Sequence, residues 1–329
     1  MKIGITIGDP AGIGPEIILK SISKLRKISG FQFIIISPEY CLEKYAQTIN
    51  KNISIPIAKS MLDFSKAVQI LEVSAKTHFK IGQPSKLTGN AAFNMVKKGI
   101  ELALNKEIDA LVTAPVSKYA INLTGRKFTG HTEMLKKMTG ALDVLMFFVS
   151  PQLMAALVTT HFAIRNVSRN ITTEAVFSKL LLLSNGLKQY FSIKHPKIAV
   201  SALNPHAGEG GYMGTEEIDF ILPAIRKAKK KGMQLEGPFS SDTILLKRKD
   251  FDAILFMYHD QAMIPAKLLS WEKNVNVTLG LPFVRTSPDH GTAFDIAGKG
   301  IASPRSFMKA VQLACRMLEN KETNTKEKK

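Results

Sequence analysis

Short apolar runs rich in β-branched residues recur along this chain, separated by stretches long enough for helices, and that alternation dictates the fold class. The runs occupy residues 3–7, 33–37, 110–113, 144–149, 155–159, 198–202 and 253–257. Strands joined through helices lie parallel in layered α/β folds, so a largely parallel sheet flanked by helices is predicted. Candidate helices cover residues 15–23, 90–104, 173–183, 215–231 and 306–318. Pro15 suits a first helical turn, where its missing N–H would have no partner. A length of 329 residues allows two domains with ample cores. Residues 124–130 and 268–276 read as crossings between them. One domain is then 1–125 with 268–318, the other 126–267, and the polar tail 319–329 is expected to be disordered.

Bulk properties narrow the function class. No apolar run reaches the ~18 residues of a membrane span, and no leader pattern opens the chain, so a cytoplasmic protein is expected. Two cysteines, Cys41 and Cys315, give no disulfide framework. The formal charge of +18 is spread over the whole chain. Its one dense run, Arg226 to Lys231, ends a predicted helix and suits the helix dipole better than a nucleic-acid patch. A basic balance of this kind favours small anionic ligands.

The run GDPAGIGPE at 8–16 follows the first predicted strand, where α/β proteins often hold phosphates. It fits neither familiar template. A dinucleotide fingerprint from Gly12 needs glycine where Ile17 stands, and a Walker loop from Gly8 needs glycine where Ile13 stands.

Three histidines share one context. His161, His206 and His259 each lie at or just beyond the end of a predicted strand, where open α/β sheets bind ligands. Three imidazoles meeting there would make a catalytic metal site; the competing reading is three separate loop histidines. The glycine-rich segment 204–217 could bring backbone close to a ligand. His131 and Thr132, in FTGHTE, open a predicted helix and suit a phosphate or carboxylate. Lys267 and Arg285 stand in apolar surroundings, where an unpaired cation is costly, so an anionic partner is expected there. The segment 286–304 reads as a loop, in which His290, Gly291, Thr292 and Asp295 could meet a ribose and a base.

Taken together, GDPAGIGPE, TAPVSK (113–118), FTGHTE (128–133), TTHFAIR (159–165), LNPHAGEGGYMGTEEID (203–219), MYHDQ (257–261) and NVTLGLPFVRTSPDHGTA (276–293) resemble the 4-hydroxythreonine-4-phosphate dehydrogenase family of vitamin B6 biosynthesis. GDPAGIGPE and HGTAFDIAGKGIASP (290–304) also resemble loops of the wider isocitrate and isopropylmalate dehydrogenase fold. The resemblance implies a two-domain α/β/α layered sandwich that dimerises, with active sites at the subunit interface. It implies NAD (or NADP) as cofactor, and a divalent metal (zinc, or magnesium, manganese or cobalt) on His161, His206 and His259, shared between subunits. His131, Thr132, Lys267, Asn276 and Arg285 match substrate positions. Gly12, Gly14, His290, Gly291, Thr292 and Asp295 match the dinucleotide loops, with Asp295 favouring NAD. The implied reaction oxidises 4-phosphooxy-L-threonine at C3 and then decarboxylates it to 3-amino-2-oxopropyl phosphate. Asp242 and Lys118 are candidate proton acceptors. Two alternatives stay open: a family member acting on D-threonate or D-erythronate 4-phosphate, and a phosphate-binding metallohydrolase or transferase without a dinucleotide.

Overall fold

The computed structural model describes residues 1–51, 54–58, 60–61, 66–73 and 78–326. Its strands, in chain order, are β1 (Lys2–Thr6), β2 (Gln32–Ile36), β3 (Ile57–Ala58), β4 (Val68–Leu71), β5 (Ala110–Thr113) and β6 (Leu145–Val149). There follow β7 (Met154–Leu157), β8 (Lys197–Ser201), β9 (Gln234–Phe239), β10 (Ala253–Phe256), β11 (Val275–Leu279) and β12 (Val284–Pro288). Two compact units emerge, residues 1–141 with 281–318, and residues 142–280 with 319–329.

In the first unit the strand order is β3-β4-β2-β1-β5-β12, and every neighbouring pair is parallel. Ile3, Ile5, Phe33, Ile35 and Leu111 are fully buried in this sheet. Burial of each such side chain is worth ~1.5–3 kcal/mol. The helix Lys86–Leu104 starts from a capping box, in which Ser85 Oγ accepts from Thr88 N and Thr88 Oγ1 accepts from Ser85 N. It lies tight on the sheet: a Cβ at Gly99 would sit 2.7 Å from a Leu111 methyl.

In the second unit the order is β11-β6-β7-β10-β8-β9. The β11–β6 and β6–β7 pairs are antiparallel and the rest parallel. The core packs Met146, Phe148, Leu157, Ile254 and Phe256 beneath Ala262, Met263 and Ala266 of the helix His259–Leu269. Phe147 is equally buried, edge-on to Phe191 at 5.7 Å between ring centres.

Seven strands fall within two residues of predicted runs, and the largely parallel α/β class is as expected. The missed strands are the polar or short ones. β12 carries Arg285, Thr286 and Ser287, all buried, so hydropathy conceals it; residues 286–288, expected in a loop, are strand. β11 likewise carries Asn276 and Thr278. The predicted helix 215–231 is in fact a π-turn, Glu217–Ile221, running into the helix Leu222–Lys229, where Lys227 caps the Phe177 ring at 4.6 Å.

Unit boundaries lie later in the sequence than the expected crossings at 126 and 268. Helix His131–Thr139 packs on Lys86–Leu104 and so stays in the first unit, while β11 pairs with β6 in the second. The tail is a second correction. Helix Arg305–Lys326 continues through most of it, because Asn320 and Asn324 donate side-chain N–H groups to the carbonyls of Tyr190, Lys188 and Gln189 at the end of the helix Thr173–Phe191. Among the described residues, no helix is long and apolar enough to cross a membrane. Both cysteines are buried and neither is in a disulfide, and burial pushes the Cys41 thiol up to about 12.

Candidate active site

The first unit assembles a cationic group around the start of the helix His131–Thr139. Gly130, the residue before it, carries no side chain to cap the helix, so the first-turn N–H groups are left to other acceptors. A side chain there would collide with the Glu133 carboxylate and come within 3.8 Å of Lys118 Nζ, which lies at the start of the helix Lys118–Asn122. Arg285 is 2% exposed, and its guanidinium donates to Thr113 Oγ1 at 2.6 Å from the neighbouring strand. Burial pushes the Arg285 guanidinium down to about 10, with Glu133 opposing. Burial, then the charges of Arg285 and Lys118, hold His131 well below its ordinary value. His131 is therefore neutral near pH 7, and its buried Nε2 has no hydrogen-bond partner among the described residues. Thr132, next on the helix, is half-buried. A neutral imidazole with an unsatisfied nitrogen, beside two cations at a helix start without a side-chain cap, is complementary to a phosphate or carboxylate.

The GDPAGIGPE loop borders another loop of the same unit. Ile13 N donates to Thr292 O at 2.9 Å, and a Cβ on Gly12 would lie 2.8 Å from that oxygen. A Cβ on Gly14 would lie 1.9 Å from Ile7 O. Gly8 has φ +75, with Pro115 O in the place of a side chain. The glycines the sequence offered for a ligand, Gly12 and Gly14, are thus required by backbone packing against protein. Glu16, fully buried, accepts from Gly298 N, Ala302 N and Lys20 Nζ, and Lys20 also donates to Gly300 O and Ala302 O. This ionic clamp, with four bonds to segment 298–302, fixes one end of the loop that carries His290 and Asp295. Gly291 borders open space, Asp295 is exposed, and His290 Nδ1 lies 3.0 Å from Gly291 O. That open backbone beside an exposed carboxylate suits the hydroxyls of a ribose.

Asp9 is fully buried beneath the same loop, with Oδ1 accepting from Ala11 N at 2.9 Å. Burial raises its carboxyl to about 6, against hydrogen bonding that opposes the rise. The folded state therefore holds this proton more tightly than the unfolded chain does. Its contribution to stability is complete below pH ~4 and lost as pH rises through 6. Asp9→Asn removes the penalty of ionisation. Its advantage over the parent chain should grow between pH 4 and 7 towards a few kcal/mol, at ~1.4 kcal/mol for each tenfold difference in proton affinity between folded and unfolded chains. Chemical denaturation across that range measures it; a stability difference independent of pH would refute the assignment.

The second unit carries the three strand-end histidines. His161 and His259 stand together, with ring centres 5.6 Å apart. His259 Nδ1 lies 2.7 Å from the Asp260 carboxylate, which leaves Nε2 as the nitrogen that could ligate an ion. Two imidazoles on one tetrahedral ion at ~2.0–2.1 Å have ring centres about 5 Å apart, so the pair fits a shared cation. His206 is exposed on a loop whose residues 206–210 all have positive φ, between 46° and 80°. Such backbone is strained for the non-glycine members. Glu217 fastens it, accepting from Leu203 N, Asn204 N and Asn204 Nδ2. Among the described residues of this one chain, no group of three or more His, Cys, Asp or Glu is gathered as a metal site.

Asp242 is exposed. Its carboxyl is held below the usual range by the Ser240 hydroxyl, with smaller help from His206. It is ionised at neutral pH but only a weak base. Gln261 ties this region together: its amide donates to Ala202 O and Ser241 Oγ and accepts from Met257 N. Lys267 is exposed, contrary to the apolar setting expected of it. Ala262, Met263, Pro265 and Ala266 take the buried face of the helix and leave Ile264, Lys267 and Leu268 outside. Asn276 is half-buried, and its Oδ1 has no partner among the described residues.

The sequence matches the family described as pyridoxal phosphate biosynthetic protein PdxA over residues 30–314. The chain belongs to this family. It is 42% identical to the 4-hydroxythreonine-4-phosphate dehydrogenase of Sulfurihydrogenibium sp. over 95% of this chain and 97% of that one. A crystal structure of 4-hydroxythreonine-4-phosphate dehydrogenase from Klebsiella pneumoniae superposes with TM-score 0.84 at 34% identity, covering 96% of this chain and 99% of the other. A relative from Oceanobacillus iheyensis named for D-threonate 4-phosphate dehydrogenase is 40% identical over 97% of this chain and 98% of its own. PdxA membership accounts for the motif order read from the sequence. Reading motifs did not single out Asp9, Glu16, Lys20, Glu217 or Gln261 for the contacts they make. For Asp9, Glu16, Glu217 and Gln261 the one signal was position, acids and an amide close behind glycine-rich or strand-end segments; Lys20 carried none.

Proposed function

We propose that the chain oxidises 4-phosphooxy-L-threonine at C3 with NAD and decarboxylates the product. The observation that carries this reading is the anion-complementary group of His131, Arg285 and Lys118 at an uncapped helix start, in a member of the PdxA family. Arg285, His131 and Thr132 hold an anionic end of the substrate, and Lys267 and Asn276 are its further contacts. Holding the reacting carbon in one orientation is worth several kcal/mol of barrier.

The 290–295 loop would hold NAD, which would supply the hydride acceptor. His161, His206 and His259 would hold a divalent ion, which would supply Lewis-acid polarisation. The incomplete histidine group within one chain fits a site finished by a second copy, in a homodimer. The hydroxyl proton leaves to Asp242 or Lys118. The β-keto acid then loses its carboxyl group as CO2, and C2 takes up a proton. Asp295 receives the ribose hydroxyls and disfavours the 2′-phosphate of NADP. Asp295→Ala should therefore lower the NAD-to-NADP preference about tenfold, on the order of one hydrogen bond to a charged group. An unaltered cofactor ratio would remove Asp295 from that role.

The 40% identity to the relative named for D-threonate 4-phosphate keeps a second substrate in view, one lacking the 2-amino group. Initial rates of NADH formation with both compounds decide between them. Higher kcat/KM on 4-phosphooxy-L-threonine is expected, and a higher value on D-threonate 4-phosphate would overturn the assignment. Failure to form NADH with either compound would favour the hydrolase or transferase reading.

A further inference from the structure

A cavity of about 710 Å³ opens in the first unit between the helices Lys86–Leu104 and His131–Thr139 and the segment 126–130 that leads into the latter. Its volume lies in the ~300–1,000 Å³ range of small-molecule sites. It borders the anion group described above, sharing Gly130 and Glu133 with it, but His131, Lys118 and Arg285 are not among its lining residues.

The walls are of two kinds. Phe93, Phe128, Met134 and Met138 supply apolar and aromatic surface, with the Phe93 and Phe128 rings edge-to-face at 6.5 Å. Around them stand four cations, Lys97, Arg126, Lys127 and Lys137, against the single carboxylate of Glu133. That carboxylate also acts on Arg285, in the buried group on its other side. Arg126 is held in place, its guanidinium 4.5 Å from the Phe93 ring centre and Nη1 donating to Thr124 Oγ1 at 2.8 Å. Lys97 reaches Glu101 only at 3.7 Å on the exposed helix surface, an arrangement worth little in water. A neutral apolar ligand would leave this charge unanswered, and inorganic phosphate would leave the aromatic wall wet.

We propose that this cavity binds an amphipathic anion: a planar apolar or aromatic body that packs on Phe93 and Phe128 and carries a phosphate group facing Arg126, Lys97 and Lys137. Flat rings stack on aromatic walls, and guanidinium pairs with phosphate in two-point fashion. Phe128 also stands edge-on to His131, with ring centres 6.3 Å apart, so an occupant would touch the wall that supports the substrate-facing imidazole.

The test is isothermal titration of the full chain with 1-naphthyl phosphate, against 1-naphthol and inorganic phosphate as single-feature controls. Naphthyl phosphate should bind at least tenfold tighter than either control, and more weakly as salt rises from 50 to 300 mM, as exposed charges require. Lys97→Gln with Lys137→Gln should weaken it by tenfold or more with little change in melting temperature, since both residues are exposed. Met138→Trp, which fills the cavity, should abolish it. Arg285→Ala should leave it intact, which keeps this site distinct from the substrate reading. Equal binding by the Lys97/Lys137 variant, equal binding of either control, or loss of binding in Arg285→Ala would each overturn the proposal. So would affinity that falls with rising protein concentration, the sign of a second copy covering the cavity.

Discussion

Replacement of His259 by alanine is expected to remove bound divalent metal and turnover together. The ring lies 5.6 Å from that of His161, and its Nδ1 is engaged by Asp260, which leaves Nε2 for a ligand. In the proposed three-imidazole site, loss of one ligand would cost several kcal/mol of transition-state binding, on the order of 10³-fold or more in kcat/KM. The partner carboxylate should matter less. Asp260→Asn keeps the ring but weakens its orientation, and losses of this kind run to ~10–100-fold in metal affinity. Metal analysis of purified variants beside NADH formation measures both effects. Full metal content and near-parental turnover in His259→Ala would show three separate loop histidines. Metal loss without a change in turnover would separate the ion from the chemistry.

The second large effect is expected at Arg285. Burying this guanidinium costs folding free energy on the order of 3 kcal/mol, read from its fall to about 10. An anion bound beside it would offset that cost. Arg285→Met, apolar and of comparable length, should therefore leave the melting temperature unchanged or higher while raising KM for the phosphorylated substrate by ~10–100-fold, the worth of a charge-assisted hydrogen-bond pair. Stability retained while binding is lost marks a group kept for function. A fall in stability with KM unchanged would make Arg285 a structural residue, held for its bond to Thr113.

The same substitution alters acid sensitivity in a predictable direction. His131 is held well below its ordinary value first by burial and then by Arg285 and Lys118. Below pH ~6.5 the unfolded chain takes up a proton that the folded chain refuses, so this group's contribution to stability is lost on acidification. Removing the Arg285 charge lets the folded imidazole accept that proton more readily. The stability of Arg285→Met should then fall less steeply than the parent's between pH 7 and 5.

Legibility differed from residue to residue. The buried runs of β1, β2, β5, β8 and β10 stood out because nearly every side chain in them is apolar or small. β12 did not, since its buried face is made of arginine, threonine and serine satisfied by tertiary contacts such as Arg285 to Thr113 and Thr286 to Ala310 O. His131 and Arg285 stand in separate motifs, over 150 positions apart. Their mutual electrostatics appear only when β12 pairs with β5 beside the helix that follows Gly130. Lys267 was misplaced for the opposite reason: its apolar neighbours in sequence are divided by helical periodicity between an inner and an outer face.

By itself the sequence determined the α/β class, because alternation of strand-length and helix-length segments admits few layered arrangements, and the motif types, because histidine, glycine and arginine carry their chemistry wherever they stand. The tertiary structure alone decided which of those residues meet. It set Gly12 and Gly14 against backbone oxygens, locked the 298–302 segment onto Glu16 and Lys20, paired His161 with His259, and buried the Arg285 charge. Burial and distance between residues remote in sequence fix pKa and hydrogen bonding, and no local pattern encodes either.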